Sequence, residues 1–390
     1  MFLSTVPEDL AIKLTQNLMS EEYDGVSNIL NEIFKNLVME NKHLNVLKML
    51  LSDSRVDSSY KDNKFIIHAS EKGHFDVVEL LLSSSKTNPN ADNNMAITYA
   101  SLNGHLQIVE LLLKDSRLDL TLDFNNIMAI IEASKNGHLQ IVELLLKDSR
   151  INPGNNNNRA ISQASYNGHT QIVELLLKDS RVDPGGNDNC AIRNACLKGH
   201  IKVVELLLKD PRVDPSAGSN DCIDDAVRFD LSDIIKLLLQ DPRINPGDNN
   251  NRCISIATSR GNYEIVKMLI EDPRVDATVG NYCIKNAMEK GLIKIVKLLI
   301  PKTNLKTIND DRIIKIAKKM AKKEKLKLNT IPTVDKESSN INNQETTIKT
   351  FNNAIDEITN IMKKYKITNV LINENTNKTE IKCEFINANQ

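Results

Sequence analysis

Tryptophan is missing from the chain, and aromatic residues make up 4% of it. That leaves few platforms for stacking nucleic-acid bases and few of the large anchors that dominate tight interfaces. Neither sign of charge is in excess. Fifty basic and fifty-one acidic side chains leave a formal charge of −1, so no global field points to nucleic acid or to an anionic membrane. No apolar run approaches the roughly 18 residues of a membrane span, and the opening "MFLSTVPEDLAIKL" puts acidic residues where a signal peptide needs an apolar stretch. These absences set the expectation of a soluble intracellular protein, in the cytoplasm or the nucleus. The sequence also lacks CxxC, P-loop, GxGxxG, G-x-S-x-G and HExxH patterns. No catalytic, cofactor-binding or metal-ligating residue is expected, and enzymatic function is set aside.

What the chain does have is repetition. "NGHLQIVELLLKDSR" stands at residues 103–117 and again at 136–150, and it returns at 167–181 with Thr170 in place of leucine. Aligned on the turn glycine, the copies anchor at Gly73, Gly104, Gly137, Gly168 and Gly199, with weaker counterparts at Asp230, Gly261 and Gly291. The steps are 30 to 33 residues. A further copy centres on Lys42 and a partial one on Ala321. A period near thirty signals a stacked solenoid, because one unit cannot bury its own apolar face.

Each unit reads as two helices. In "NMAITYASLNG", Ala96, Ile97, Ala100 and Ser101 form one small apolar stripe. In "HLQIVELLLKD", Leu106, Ile108, Val109, Leu111, Leu112 and Leu113 face inward, while Glu110 and Lys114 pair outside. Gly104 suits a left-handed turn between them. Pro211, Pro242 and Pro273 stop the second helix, and the Asn-rich stretches beyond tolerate left-handed backbone and are expected to cap the next helix.

These residues resemble the ankyrin repeat over roughly three quarters of the chain. The G-H-x-x-I/V-V-x-L-L-L phrase is present nearly letter for letter. T-P-L-H-x-A is replaced by "MAITYA" at 95–100 and "RAISQA" at 159–164, and most units fall two residues short of the usual 33. Those departures concern the connection between units, not the helix pair. The "KDPRVDP" phrasing with Asn-rich loops is similar to ankyrin families of giant amoeba-infecting DNA viruses and of some amoebae. The resemblance implies an all-α repeat solenoid, about nine helix-turn-helix units and a partial one over 31–328, whose work is binding another protein. It also makes the shared histidine (His43, His74, His105, His138, His169, His200) a hydrogen-bonding tie between adjacent loops. Stacked helices lie roughly 8–10 Å apart, so neighbouring copies of that histidine cannot share one metal ion. Cys222, Cys253 and Cys283 at equivalent first-helix positions, with Cys190 and Cys196, read as small buried residues in a reducing compartment.

The ends differ from the middle. Residues 1–30 read as capping helices opening after Pro7, with a likeness over some fifteen residues to the start of an F-box. From Lys302 to Lys327, ten basic residues stand against three acidic ones, and a solvated face on a capping unit is preferred there over a nucleic-acid or import segment. Residues 329–350 read as a polar linker. Residues 351–390 read as a small α+β appendage of one helix and a β-hairpin. That segment is too short to fold alone, so it calls for a surface, either the end of the solenoid or a second copy.

The candidate partner-binding residues are the first-helix side chains just before the turn glycine and one turn earlier. They are Tyr99, Leu102, Glu132, Lys135, Gln163, Tyr166, Asn194, Leu197, Asp225, Arg228 and Phe229. These positions vary most between units, whereas the second helix barely changes. A scaffold that presents a varied surface has this pattern; a ubiquitin-ligase substrate adaptor, with one terminal segment on the ligase, is the alternative reading.

Overall fold

The computed structural model describes residues 2–22, 25–120, 128–275, 281–302, 311–324, 369–373 and 380–384. The chain divides into two compact units, Met1–Ile331 and Pro332–Gln390. In the first, helix α1 (Glu8–Met19) starts directly after Pro7, whose fixed φ and missing N–H suit a helix start. Helix α2 (Val26–Glu40) runs unbroken through residue 30 and, with Leu44–Ser52, makes repeat unit one. Eight further helix pairs follow among the described residues, ending with Asn281–Glu289 and Ile293–Leu299; the helix Asp311–Glu324 closes the series. Its Ile313 and Ala317 are buried while Lys315 and Lys318 are exposed.

One apolar core runs through the stack. In unit three (Ala91–Leu102 and Leu106–Lys114), Ala96, Ile97, Ala100 and Ser101 are buried together with Ile108, Val109 and Leu112. Leu106, Leu111 and Leu113 are only half-buried, so the inward stripe of the second helix is narrower than its composition suggests. The turn glycines adopt the left-handed conformation, Gly104 at φ +80°.

Connections between units take a form that the sequence reading lacks. Among the described residues, six units pass through three consecutive left-handed residues before the first helix proper, as at Asn156, Asn157 and Asn158 (φ 50°, 56° and 58°). Left-handed backbone costs an ordinary L-residue about 1–2 kcal/mol, and Asn or Asp is tolerated best. That is the physical reason for "NNNN" at 155–158 and "DNNN" at 248–251. The asparagines were expected to cap the helix that follows them, but the side-chain oxygens of Asn158 and Asn189 are engaged elsewhere. They reach the next unit. Asn158 Oδ1 accepts from Asp183 N at 2.7 Å, and Asn189 Oδ1 accepts from Asp214 N at 2.7 Å.

In the second compact unit, β1 (Asn369–Asn373) and β2 (Glu380–Glu384) pair antiparallel, with Leu371 opposite Lys382 and Ile372 opposite Ile381. The linker at 329–350 and the expected helix at 351–365 lie outside the described residues.

Candidate functional site

Two hydrogen-bonded ladders join the units and fix which side chains remain for a partner. The first is the histidine tie. Nε2 of His105 lies 3.0 Å from Glu71 O, of His138 3.0 Å from Leu102 O, of His169 2.9 Å from Lys135 O and of His200 2.9 Å from Tyr166 O. Because a carbonyl only accepts, Nε2 carries the proton in this arrangement. The imidazole also lies against the turn of the unit before it. A Cβ on Gly168 would sit 2.7 Å from His200 Cε1, so the glycine is required by contact as well as by φ.

The second ladder was missed in the sequence. The arginine of each "DSR" or "DPR" is not only part of a helix stop. Arg181 binds Asp179 in a fork, Nε to Oδ1 at 2.9 Å and Nη2 to Oδ2 at 2.6 Å, and then donates to Ile151 O at 2.8 Å and Leu146 O at 3.1 Å in the preceding unit. Arg212, Arg243 and Arg274 repeat the arrangement one unit further each time. A guanidinium thereby caps the carbonyl end of the previous second helix, where a cation is favoured. In each pair the hydrogen bond to arginine leads in holding the aspartate below its usual pKa, against burial acting upward. Unit two lacks the arginine, and Lys86 Nζ takes its place on Ser54 O and Val56 O.

With those groups engaged, ten of the eleven candidate side chains lie on first helices, Phe229 stands just past the end of its own, and none is fully buried. Phe229, 51% exposed, and Tyr166, 37% exposed, are the exposed large apolar side chains among them. Several are tied within the stack. Glu132 pairs with Lys135 and Asp225 with Arg228 along their own helices. Asn194 Nδ2 reaches Ser162 Oγ of the unit before at 3.1 Å, and Lys198 lies over the Tyr166 ring at 4.4 Å.

Sequence reasoning also missed a charged cluster beside these residues. Arg193 joins Asp188 at 3.1 Å to Asp221 of the next unit at 2.7 Å. Asp224, 2% exposed, accepts from the Cys253 thiol at 3.1 Å and faces Arg252 at 3.1 Å. Burial pushes the Asp224 carboxyl up, against the thiol bond and Arg252; burial likewise raises Asp225, against Arg228. The signal was present in "CIDDA" at 222–226, because other units carry Thr98, Ile131, Ser162 or Ser255 where Asp224 stands. Five cysteines on the first helices are free thiols, buried at 196, 222, 253 and 283 and half-buried at 190. Burial pushes the Cys253 thiol well up and so makes it a poor nucleophile. Among the described residues, no group of three or more His, Cys, Asp or Glu side chains converges as a metal site, and no helix is long and apolar enough to cross a membrane.

A family model described as ankyrin repeats (3 copies) matches residues 36–123, 128–219 and 162–250, more than half of the chain. The chain belongs to the ankyrin-repeat family. Ankyrin repeats are protein–protein interaction modules, typically non-enzymatic, and this chain builds them as an all-helical stack. A search of curated proteins finds no match. The family phrase T-P-L-H-x-A is replaced within the first helix, as by "MAITYA" at 95–100, and the left-handed Asn turn stands just before it.

Proposed function

We propose that this ankyrin-repeat chain is a non-catalytic scaffold that holds a partner protein against the first-helix face and the adjoining loop tips. The observation that carries the reading is a division among columns. The constant alanine column, Ala100, Ala164 and Ala195 among its members, is buried, whereas the columns that vary, among them Tyr99, Glu132, Gln163, Asn194 and Asp225, keep some exposure. Selection for stacking acts on the first set and leaves the second free to fit a partner. The host-cell cytoplasm as the compartment, a viral origin suggested by the "DPRVDP" loops, and an α+β appendage over 351–390 belong to the same proposal.

Affinity capture from cells tests it with two sets of variants. Tyr166→Ala with Leu197→Ala and Phe229→Ala alters the first-helix face; Gln107→Ala with Lys114→Ala alters the outside of a second helix. The first set removes the captured partner at unchanged helical content, and the second retains it. Equal loss from both sets refutes the reading.

A further inference from the structure

Helix α1 is half of a repeat unit. Arg55, the first arginine of the ladder, donates through Nη2 to Met19 O at the end of α1 and through Nη1 to Glu21 O. Later arginines make the same bonds to the end of a preceding second helix and to the residues beyond it. Likewise His43 places Nε2 3.0 Å from Leu3 O, where later histidines meet a carbonyl near the end of a preceding first helix. By both ties, α1 occupies the place of a second helix, and the 3-10 turn Phe2–Thr5 occupies the last turn of a first helix. The remainder of that first helix has no counterpart among the described residues.

An apolar groove of about 600 Å³ lies in its place. One wall is made by Leu14 and Leu18 of α1, at i and i+4, with Glu21 just beyond its end; the other is a stripe of α2 at i, i+3 and i+4, made by Ile29, Glu32 and Ile33. Two helical stripes facing one groove leave a third-helix-shaped space. Register supports this. The columns of Ile33 and Leu37 hold Cys190 and Asn194 in unit six, and both of those contact Ser162 on the first helix of the unit before. A capping unit ordinarily turns a polar face outward; here that end is apolar, and Ile29 at its mouth is 38% exposed. The two charged residues of the groove's lining, Glu21 and Glu32, are both acidic, and Glu32 pairs with Lys35 at 3.1 Å.

We propose that this groove is the docking site for an amphipathic helix from a partner protein. That helix carries a small apolar stripe flanked by lysine or arginine, and it packs against α1 and α2 as the first helix of a preceding unit would. The groove lies beside α1 at the start of the stack, and none of its lining residues is among the eleven candidates of the proposed function.

Binding of labelled 18-residue helical peptides to the full chain tests the proposal. One probe is a leucine–alanine–lysine peptide with apolar residues at i, i+3, i+4 and i+7; the second has glutamate for lysine, and the third is a scramble of the first. The lysine helix is expected to bind one to one, at least tenfold tighter than the other two, and to protect amides in 8–40 from exchange. Ile29→Arg, a change at an exposed position, should weaken it at least tenfold, and Glu21→Lys with Glu32→Lys should reverse the preference between the lysine and glutamate helices. Absence of binding, equal affinity for the three peptides, or affinity unchanged in both variants overturns the proposal. So does a wild-type dimer in light scattering that Ile29→Arg makes monomeric, since a second copy then fills the groove.

Discussion

Unit five (Asn155–Asn167 and Thr170–Leu177) and unit seven (Ala217–Arg228 and Ser232–Gln240) share a helix pair and the arginine ladder, yet they differ at the turn. Unit five turns at Gly168 and sends His169 back to Lys135 O. Unit seven turns at Asp230, at φ +58°, and carries Leu231 at the histidine position, where its methyls pack beside Gly199. The tie to the previous unit is gone. On its other side a substitute exists, since Asn262 Nδ2 and Arg260 meet the Asp230 carboxylate at 3.0 and 3.4 Å. Unit seven also buries Asp224, whose desolvation its exposed partner Arg252 offsets only in part. In a solenoid, stability is approximately a sum of unit and interface terms, so these differences make unit seven a weak joint in an otherwise uniform stack.

The largest expected effect compares two glycines. Gly168→Ala should cost about 3 kcal/mol, combining left-handed strain with displacement of the His200 ring and loss of its bond to Tyr166 O. Gly199→Ala, which meets Leu231 Cδ2 only at 3.4 Å, should cost about 1–2 kcal/mol, the strain alone. Urea unfolding of the two variants measures the gap. Equal losses would mean that the imidazole contributes nothing at the turn. Next, Arg181→Ala should destabilise by about 2 kcal/mol by the same measurement, in the lower part of the range for charged bonds because the side chain is a third exposed. Arg181→Lys should recover little of this, for lysine lacks the fork.

Acid should act on the two regions with opposite sign. The ladder aspartates have lowered pKa values, so their contribution is present above the unfolded value of about 4 and is lost as pH falls below it. Asp224 and Asp225 have raised values. Their contribution is full below the unfolded pKa and is lost as pH rises through the folded one. Lowering pH from 7 toward about 4 should therefore firm unit seven while leaving unit five unchanged, and further acid should loosen the whole ladder. Amide exchange across that range reads both directions. Smallest is Asp224→Ser, which restores the side chain of Ser162 and Ser255 and should stabilise unit seven by about 1 kcal/mol at pH 7, seen as slower local exchange.

Much of this architecture was legible because the period is short and the apolar columns repeat. Ala96, Ile97 and Ala100 could be placed inward from one unit alone, and Gly104 could be assigned its left-handed turn from the break between two helical patterns. The arginine ladder was not legible. Arg181 meets carbonyls 30 and 35 residues upstream, and nothing in "KDSR" states how far a unit leans on its neighbour. The asparagines misled for a related reason, since Asn158 has an equally good local partner in a helix cap and a distant one in Asp183 N, and stacking selects the second. Among the candidate binding residues the columns were readable, but Asn194's bond to Ser162 and the burial of Asp224 beside Asp225 depend on which unit faces which.

Native-state hydrogen exchange on the full chain tests the weak joint most directly. At neutral pH, amides of 217–240 should open at a lower free energy than those of 155–177 and 186–208, with the difference shrinking when Asp230→Gly and Leu231→His restore the missing tie. Uniform protection from 155 to 271, unchanged by that double substitution, would contradict the account.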